Sequence, residues 1–256
     1  MFLKKIVSLL LFVSLLVGVL PAADDHNLTD TQVHAFLGIV TNFILSDGIV
    51  HHGVRYKVVT SPYTGHKWLD RNLGATQVCT SFDDAACYGD YYQWGRNTDG
   101  HEKSSFGTTS TQATDVNNVG DGNFITSDDA NDYDWAKAVD GDGSLRSANW
   151  AKTDGTSVCP VGYRVPTISE LHAELLDIGS AEIKNRDDAF NSFLKLPSAG
   201  GRNNSLGDLY DQGSWGYVWS SSVGSSRSRG VYFSSGNEYS LNSYRAYGFS
   251  VRCLRD

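Results

Sequence analysis

The sequence predicts an α+β fold of short, twisted antiparallel strands, one or two helices and long loops, on three observations. Hydrophobic residues make up 40% of the 256-residue chain, and Trp, Tyr and Phe together 12%, enough for one sizeable aromatic-rich core. Short apolar runs alternate with polar residues between turns marked by Gly and Pro. One stretch, 167–179, has the caps and the periodicity of a helix.

The elements follow in chain order. Lys4-Lys5, the apolar run IVSLLLFVSLLVGVL and then Pro21-Ala22-Ala23-Asp24 have the pattern of a secretory signal peptide, so residues 1–23 are read as a signal cleaved after Ala22 or Ala23, with an uncleaved anchor as the alternative. No Cys stands at the cleavage position, which argues against a lipoprotein. No later stretch is long and apolar enough to span a bilayer, so no membrane insertion is expected after cleavage. In the N-terminal segment 24–53, residues 33–45 fit a helix or a strand equally well. Residues 55–60 read as a strand, 61–65 as a Pro/Gly turn and 66–70 as the returning strand, giving a hairpin over 54–70 that opens a single domain, 54–256.

Four cysteines in an exported chain argue for disulfides, and three pairings are open. Cys79 and Cys87 enclose a short acidic loop and suit a local bridge; Cys159 and Cys253 would then tie the middle of the chain to its last strand, a closure worth about 4–5 kcal/mol in the chain-entropy model. Zinc is the competing reading, weakened by the lack of any C-x-x-C pair.

Residues 98–157 are rich in Gly, Asp, Asn, Thr and Ser, and read as long, acidic surface loops anchored at Trp135 and Trp150. Thr167 is an N-cap with Glu170 three residues on, a capping box. Leu171, Leu175, Leu176 and Ile178 make the core-facing stripe, and Gly179 ends the helix. Strands are predicted at 217–219, 231–233 and 249–253.

By parity, Val231 and Phe233 share one face, and Phe249, Val251 and Cys253 share another; both faces can be buried. The remaining Ser, Tyr, Asn and Arg residues of 220–252 are then expected to face outward. That composition resembles antibody contact loops, where Tyr supplies amphipathic area and Ser and Asn adapt their hydrogen bonds. The candidate binding residues are Ser222, Ser225, Arg227, Tyr232, Ser234, Asn237, Tyr239, Asn242, Tyr244 and Tyr247. A polar sheet face that serves only solubility is the alternative.

Other chemistry is thin. A net charge of -8 without a basic tract argues against a nucleic-acid partner. No G-x-S-x-G nucleophile elbow occurs, and no carboxylate pair is singled out for glycoside hydrolysis, so no catalytic residue is assigned. His51 and His52, as neighbours on a strand, would point to opposite faces and could not share one ion. Asp140 and Asp142, with 115–123, offer oxygen ligands at alternating spacing and are the calcium candidates, against the alternative of a solvated acidic loop.

Several stretches together resemble a known family: SPYTGHKWLDRNLGA (61–75), CYGDYYQWGRNTDGHE (87–102), CPVGYRVPTISEL (159–171), LKLPSAGGRN (194–203), YVWSSS (217–222) and GFSVRC (248–253). In this order they are similar to the Fibrobacter succinogenes major paralogous domain, over about 61–256. The resemblance implies a C-type-lectin-like fold with its first and last strands close together, distantly similar to formylglycine-generating-enzyme-like domains. The catalytic cysteine pair of those enzymes is not matched, since Cys253 alone lies in that region. The Glu-Pro-Asn and Trp-Asn-Asp sugar-binding motifs of C-type lectins are also missing. The resemblance further implies a variable protein of a diversity-generating retroelement, in which adenine-directed mutagenesis yields the Ser, Tyr, Asn, Gly and Arg residues seen here. The expected function is that of an exported or cell-surface ligand-binding protein without a required cofactor, recognising a protein or a glycan on a cell, host or phage. A structural or adhesive surface protein and a polysaccharide-acting enzyme are the alternatives.

Overall fold

The described chain opens in a two-residue hairpin. Strands β1 (Ile49–His51) and β2 (Val54–Tyr56) pair antiparallel with His51 opposite Val54, so His52 and Gly53 alone make the turn. Both have positive φ, 46° and 78°, as a tight turn of this hand requires. His52 is therefore a turn residue and not a strand neighbour of His51. The structure, a computed structural model, describes residues 48–179 and 182–256, without the side chains of Glu238 and Tyr239. The expected signal peptide and the ambiguous stretch 33–45 lie outside the described residues.

The predicted hairpin follows, but it is shorter: β3 (Val58–Thr60) pairs with β4 (Lys67–Leu69), while residues 55–56 belong to the preceding hairpin. Then come β5 (Tyr92–Gln93), β6 (Thr108–Thr109), β7 (Phe124–Ile125), helix α1 (Ser144–Trp150), β8 (Tyr163–Arg164), α2 (Ile168–Leu175) and α3 (Arg186–Asn191). The chain closes through β9 (Gly201–Arg202), β10 (Leu209–Tyr210), β11 (Gly216–Val223), β12 (Ser228–Phe233), β13 (Glu238–Ser243), β14 (Gly248–Phe249) and β15 (Leu254–Arg255). Three sheets dominate, ordered β3-β4-β15-β8, β10-β9-β14-β5 and β11-β12-β13. The described residues thus form a mixed, mostly β fold with few helices. The first and last strands of 58–256 share a sheet, since Leu254 on β15 lies opposite both Trp68 and Arg164.

Two apolar clusters hold the sheets together. One joins Trp94, Trp150, Trp219, Phe249, Val251 and the Cys159–Cys253 pair. The other packs the Val218, Val231 and Phe233 face of β11–β12 on Leu171 and Leu175 of α2. Both expected disulfides are present, Cys79–Cys87 and Cys159–Cys253, and they suit an oxidising compartment. Among the described residues no helix is long and apolar enough to cross a membrane.

Helix α2 keeps its predicted start. Thr167 accepts from the Glu170 amide, and Glu170 reaches back to the Thr167 amide. It ends at Leu175, four residues before Gly179. Its buried Glu174 accepts from the hydroxyls of Ser61 and Thr64 and, at 3.2 Å, from the Trp68 indole, which fixes the β3–β4 turn on the helix. Burial works against ionisation of Glu170, but the Arg164 guanidinium and the Thr167 amide and hydroxyl prevail and hold its carboxyl down at about 2. The folded value lies below the ordinary one, so this stabilisation is complete above about pH 4.5 and fades as pH falls towards 2. Thr167→Ala is expected to cost about 1 kcal/mol in urea unfolding at pH 7, and Glu170→Gln is expected to flatten the acid limb of a stability-against-pH series.

Segment 98–157 departs from a plain surface loop. It contains β6, β7 and α1, and it buries Phe124, Ile125, Trp135 and Trp150. Arginines supply the donors that its carbonyls would lose by burial. Arg96 donates to the carbonyls of Asp121 and Asn123; Arg202 donates to those of His101, Lys103 and Phe106. Arg146 binds Asp134 and Asp140, and Arg245 binds Asp134 and the carbonyls of Gly141 and Asp142.

The last segment also differs from its prediction. Residues 249–253 are not one strand: β14 ends at Phe249, and the chain crosses to the other sheet before β15 begins. Ser250 and Arg252 were expected outward and are buried, because the crossing has protein on both sides. Arg252 forms no ion pair with a carboxylate among the described residues. It donates to the Leu194 carbonyl at 2.6 Å and to Asn72 Oδ1 at 3.0 Å, and burial lowers its pKa to about 9.

Candidate functional site

The face of β11–β12 opposite α2 carries a terrace of aromatic rings. Tyr217 and Tyr232 are cross-strand partners, with Tyr239 next in register on β13. Tyr217 stacks on Phe249 at 4.7 Å between ring centres, and Tyr247 stacks on the same ring at 5.3 Å. Phe249, 1% exposed, is thus the floor between two half-buried tyrosines. The row continues from Tyr217 to Trp215 at 6.2 Å and Tyr210 at 5.8 Å, and from Tyr247 to Tyr244 at 6.5 Å. Tyr244 meets Tyr133 at 4.6 Å, and the Arg227 guanidinium lies 4.2 Å from the centre of its ring and donates to its hydroxyl at 3.0 Å.

The local sequence explains the row. Alternation on β11 puts Tyr217 and Trp219 on one face and Val218 on the other. Trp219 lies opposite Gly230, where a Cβ would come within 2.3 Å of the Val218 carbonyl, so glycine lets the two strands pack closely. Tyr133 reaches Tyr244 from the long loop because Asp132 and Tyr133 both adopt positive φ, 54° and 51°. For a bulky residue this conformation is strained, and the surroundings must hold it. The Ala246 amide does so by donating to the Tyr133 carbonyl at 3.0 Å.

The terrace is half-buried. Burial raises the phenol pKa of Tyr210, Tyr217 and Tyr247, and for Tyr217 the nearby Asp211 adds to the rise. Tyr217 donates to Asp211 at 2.8 Å. The hydroxyls of Tyr133, Tyr210 and Tyr247 have no hydrogen-bond partner among the described residues. Tyr217 and Tyr247 each give one ring face to Phe249.

The sequence-predicted binding residues divide. Arg227, Tyr232, Tyr244 and Tyr247 stand in the terrace. Ser225 and Asn237 are exposed, and Tyr239 is opposite Tyr232 in register; exposed Asn242 has the parity of Ser240 and Val231 and so belongs to the other face of the sheet, that of α2. Ser222 is turned to structure: its hydroxyl accepts the Ile168 amide at the start of α2. Ser234, 5% exposed, lies past the end of β12 in a turn, so strand parity did not apply to it. Ser220, Ser221, Ser228 and Arg245 were also expected outward and are buried. Trp215, Tyr217, Tyr210 and Tyr133 were missed. The alternation in Trp215-Gly216-Tyr217 signalled the first two; nothing in the sequence signalled Tyr133.

The calcium reading loses its main donor. Asp140, 4% exposed, gives Oδ1 to the Leu145 amide and Oδ2 to the amide and guanidinium of Arg146. It therefore caps α1 and neutralises an arginine. Exposed Asp142 accepts the Ser144 amide. In a tighter cluster, Asp99, His101 and Glu102, the first two are committed to each other. The Gln93 amide donates to His101 Nε2, so Nδ1 carries the proton and donates to Asp99 at 2.7 Å. Burial, with the Arg96 charge, outweighs Asp99 and lowers the imidazole pKa to about 4, which keeps it neutral.

No protein-family model matches the chain, and no curated protein or solved structure is significantly similar to it.

Proposed function

We propose that this is an exported ligand-binding protein of C-type-lectin-like architecture that uses the terrace around Tyr217, Tyr232, Tyr244 and Tyr247 to hold another protein on a cell, host or phage surface. One observation carries the reading: a continuous row of half-buried rings, three of whose hydroxyls have no described partner. Rigid aromatic side chains give contact area at low entropy cost, and an unpaired hydroxyl is a ready hydrogen-bond site. A sugar stacks on an open ring face, whereas Tyr217 and Tyr247 each spend a face on Phe249 and Tyr244 is covered by the Arg227 guanidinium, which favours a polypeptide over a glycan. The shared sheet of β3, β4 and β15, together with the ordered motifs, supports the lectin-like and major-paralogous-domain reading. The two disulfides support export.

The test is a pair of arrays, one of cell- and phage-surface proteins and one of glycans, probed with wild type and with Tyr244→Ala/Tyr247→Ala. The expected result is a protein ligand whose affinity drops at least thirtyfold in the variant while the melting curve keeps its cooperativity. A ligand bound equally by both proteins, or no ligand on either array, overturns the reading; a glycan lost in the variant replaces polypeptide by sugar. The retroelement origin has its own test. DNA near the gene should carry a near-repeat of the segment encoding 215–253, differing at adenines, beside a reverse transcriptase; flanking DNA with neither rules it out.

A further inference from the structure

A cavity of about 180 Å³ lies between the β1–β2 hairpin and the segment 90–103, and shares no residue with the terrace. Its walls include the rings of Tyr56 and Tyr92, both almost fully buried, and Leu73. Five acid–base side chains besides the two phenols line it: His51, His52, Asp90, Glu102 and Lys103. Burial lowers the His51 pKa and keeps that ring neutral, and its Nε2 bonds to the Val158 carbonyl at 2.9 Å.

The charges of Asp90, Glu102 and Lys103 do not cancel. Lys103 Nζ lies 2.6 Å from Asp90 Oδ2, so those two neutralise each other. The carboxylate of Asp90 can occupy its place because residue 74 is glycine: a Cβ there would come within 2.0 Å of Asp90 Oδ2. Glu102 is 2% exposed. Its Oε2 accepts the amides of Asp99 and Gly100 at 3.3 and 3.0 Å, while its Oε1 receives no hydrogen bond from any described residue. His101 supplies no compensating charge, since its proton is directed to Asp99 and its ring is neutral. Thr98, also in the wall, has a buried Oγ1 without a hydrogen bond of normal geometry, although it lies near enough to the Tyr92 phenol to act on it. The carboxylate oxygen opens on the cavity, and the buried hydroxyl left unpaired is costly; a bound donor can serve both.

We propose that this cavity binds a small primary alkylammonium group, with Glu102 Oε1 and Thr98 Oγ1 accepting its N–H bonds and the rings of Tyr56 and Tyr92 beside it. A cation matches the Glu102 carboxylate, which forms no ion pair with a lysine or arginine among the described residues, and aromatic walls favour a cation over a neutral polyol. The volume limits the ligand to a few heavy atoms. A free amine and a lysine side chain share this chemistry.

The experiment titrates the full chain at pH 7 with n-propylammonium chloride and, separately, with Nα-acetyl-lysine methylamide, followed by the NMR shifts of the Gly74 and Gly100 amides. Potassium chloride at equal ionic strength is the control. Saturable shifts are expected with one or both amines, identifying the source, and at least tenfold weaker binding is expected in Glu102→Gln. That variant keeps an oxygen for the Asp99 and Gly100 amides and loses only the charge. Should it fail to fold, Thr98→Val carries the test, with binding at least threefold weaker. Tyr244→Ala/Tyr247→Ala should bind the amine like wild type, which separates this site from the terrace. Saturation with neither amine, equal shifts with potassium, or undiminished binding in the variant that carries the test overturns the proposal.

Discussion

Replacing Cys159 and Cys253 together by alanine is expected to destabilise the protein by about 4.5 kcal/mol and to lower its Tm by roughly 10–15 °C. The bridge closes a loop 94 residues apart in sequence, and both cysteines are fully buried in the cluster that holds Trp94, Trp150 and Trp219. Cross-linking distant positions removes more freedom from the unfolded chain than cross-linking near ones. The Cys79–Cys87 bridge spans 8 residues, so its removal should cost only about 2.5 kcal/mol. Paired melting curves of the two double variants, with wild type in the same buffer, check the ranking. An equal or reversed order would mean that native packing, and not loop closure, decides the effect.

Asp134→Ala is expected to cost about 3–5 kcal/mol, the penalty for leaving buried charge uncompensated. Asp134 is 2% exposed and accepts from two guanidiniums, Arg146 at 2.8 Å and Arg245 at 3.1 Å, each at most 1% exposed. Removing it leaves two buried cations with Asp140 as the remaining carboxylate contact, on Arg146 alone. The change also reaches the terrace, because Tyr133 adjoins Asp134 in sequence and is held by the Ala246 amide, next to Arg245. Urea unfolding should show the loss, while Asp129→Ala, an exposed carboxylate in the same loop, should change stability by less than about 0.5 kcal/mol. If the two variants behave alike, the buried network is not what orders the loop.

Short-range signals were legible in the sequence. The capping box at Thr167 and Glu170 acts over three residues, and it was read with the right partners. The disulfide pairing followed from spacing, and Val231 and Phe233 are buried as their alternation indicated. Where an element stops was less legible: α2 ends before Gly179, and the 54–70 hairpin gave its first residues to another pair of strands. Buried charge was not legible at all. Arg146, Arg245 and Arg252 look like solvent residues in a row of letters, and only their distant partners make burial tolerable. The same blindness turned Asp140 into a metal candidate.

The sequence by itself determined the fold class, the local Cys79–Cys87 bridge, the capped helix and the apolar face of β11–β12, because each rests on residues close in sequence or on a periodicity. Only the tertiary structure decided which tyrosines form one surface. Tyr133, Tyr210, Tyr217 and Tyr247 come from separate segments, and they meet because Phe249 lies beneath two of them while β11 runs beside β14. Adjacency across a packed core is set by which side chains fill the space between sheets, and that information is spread over the whole chain.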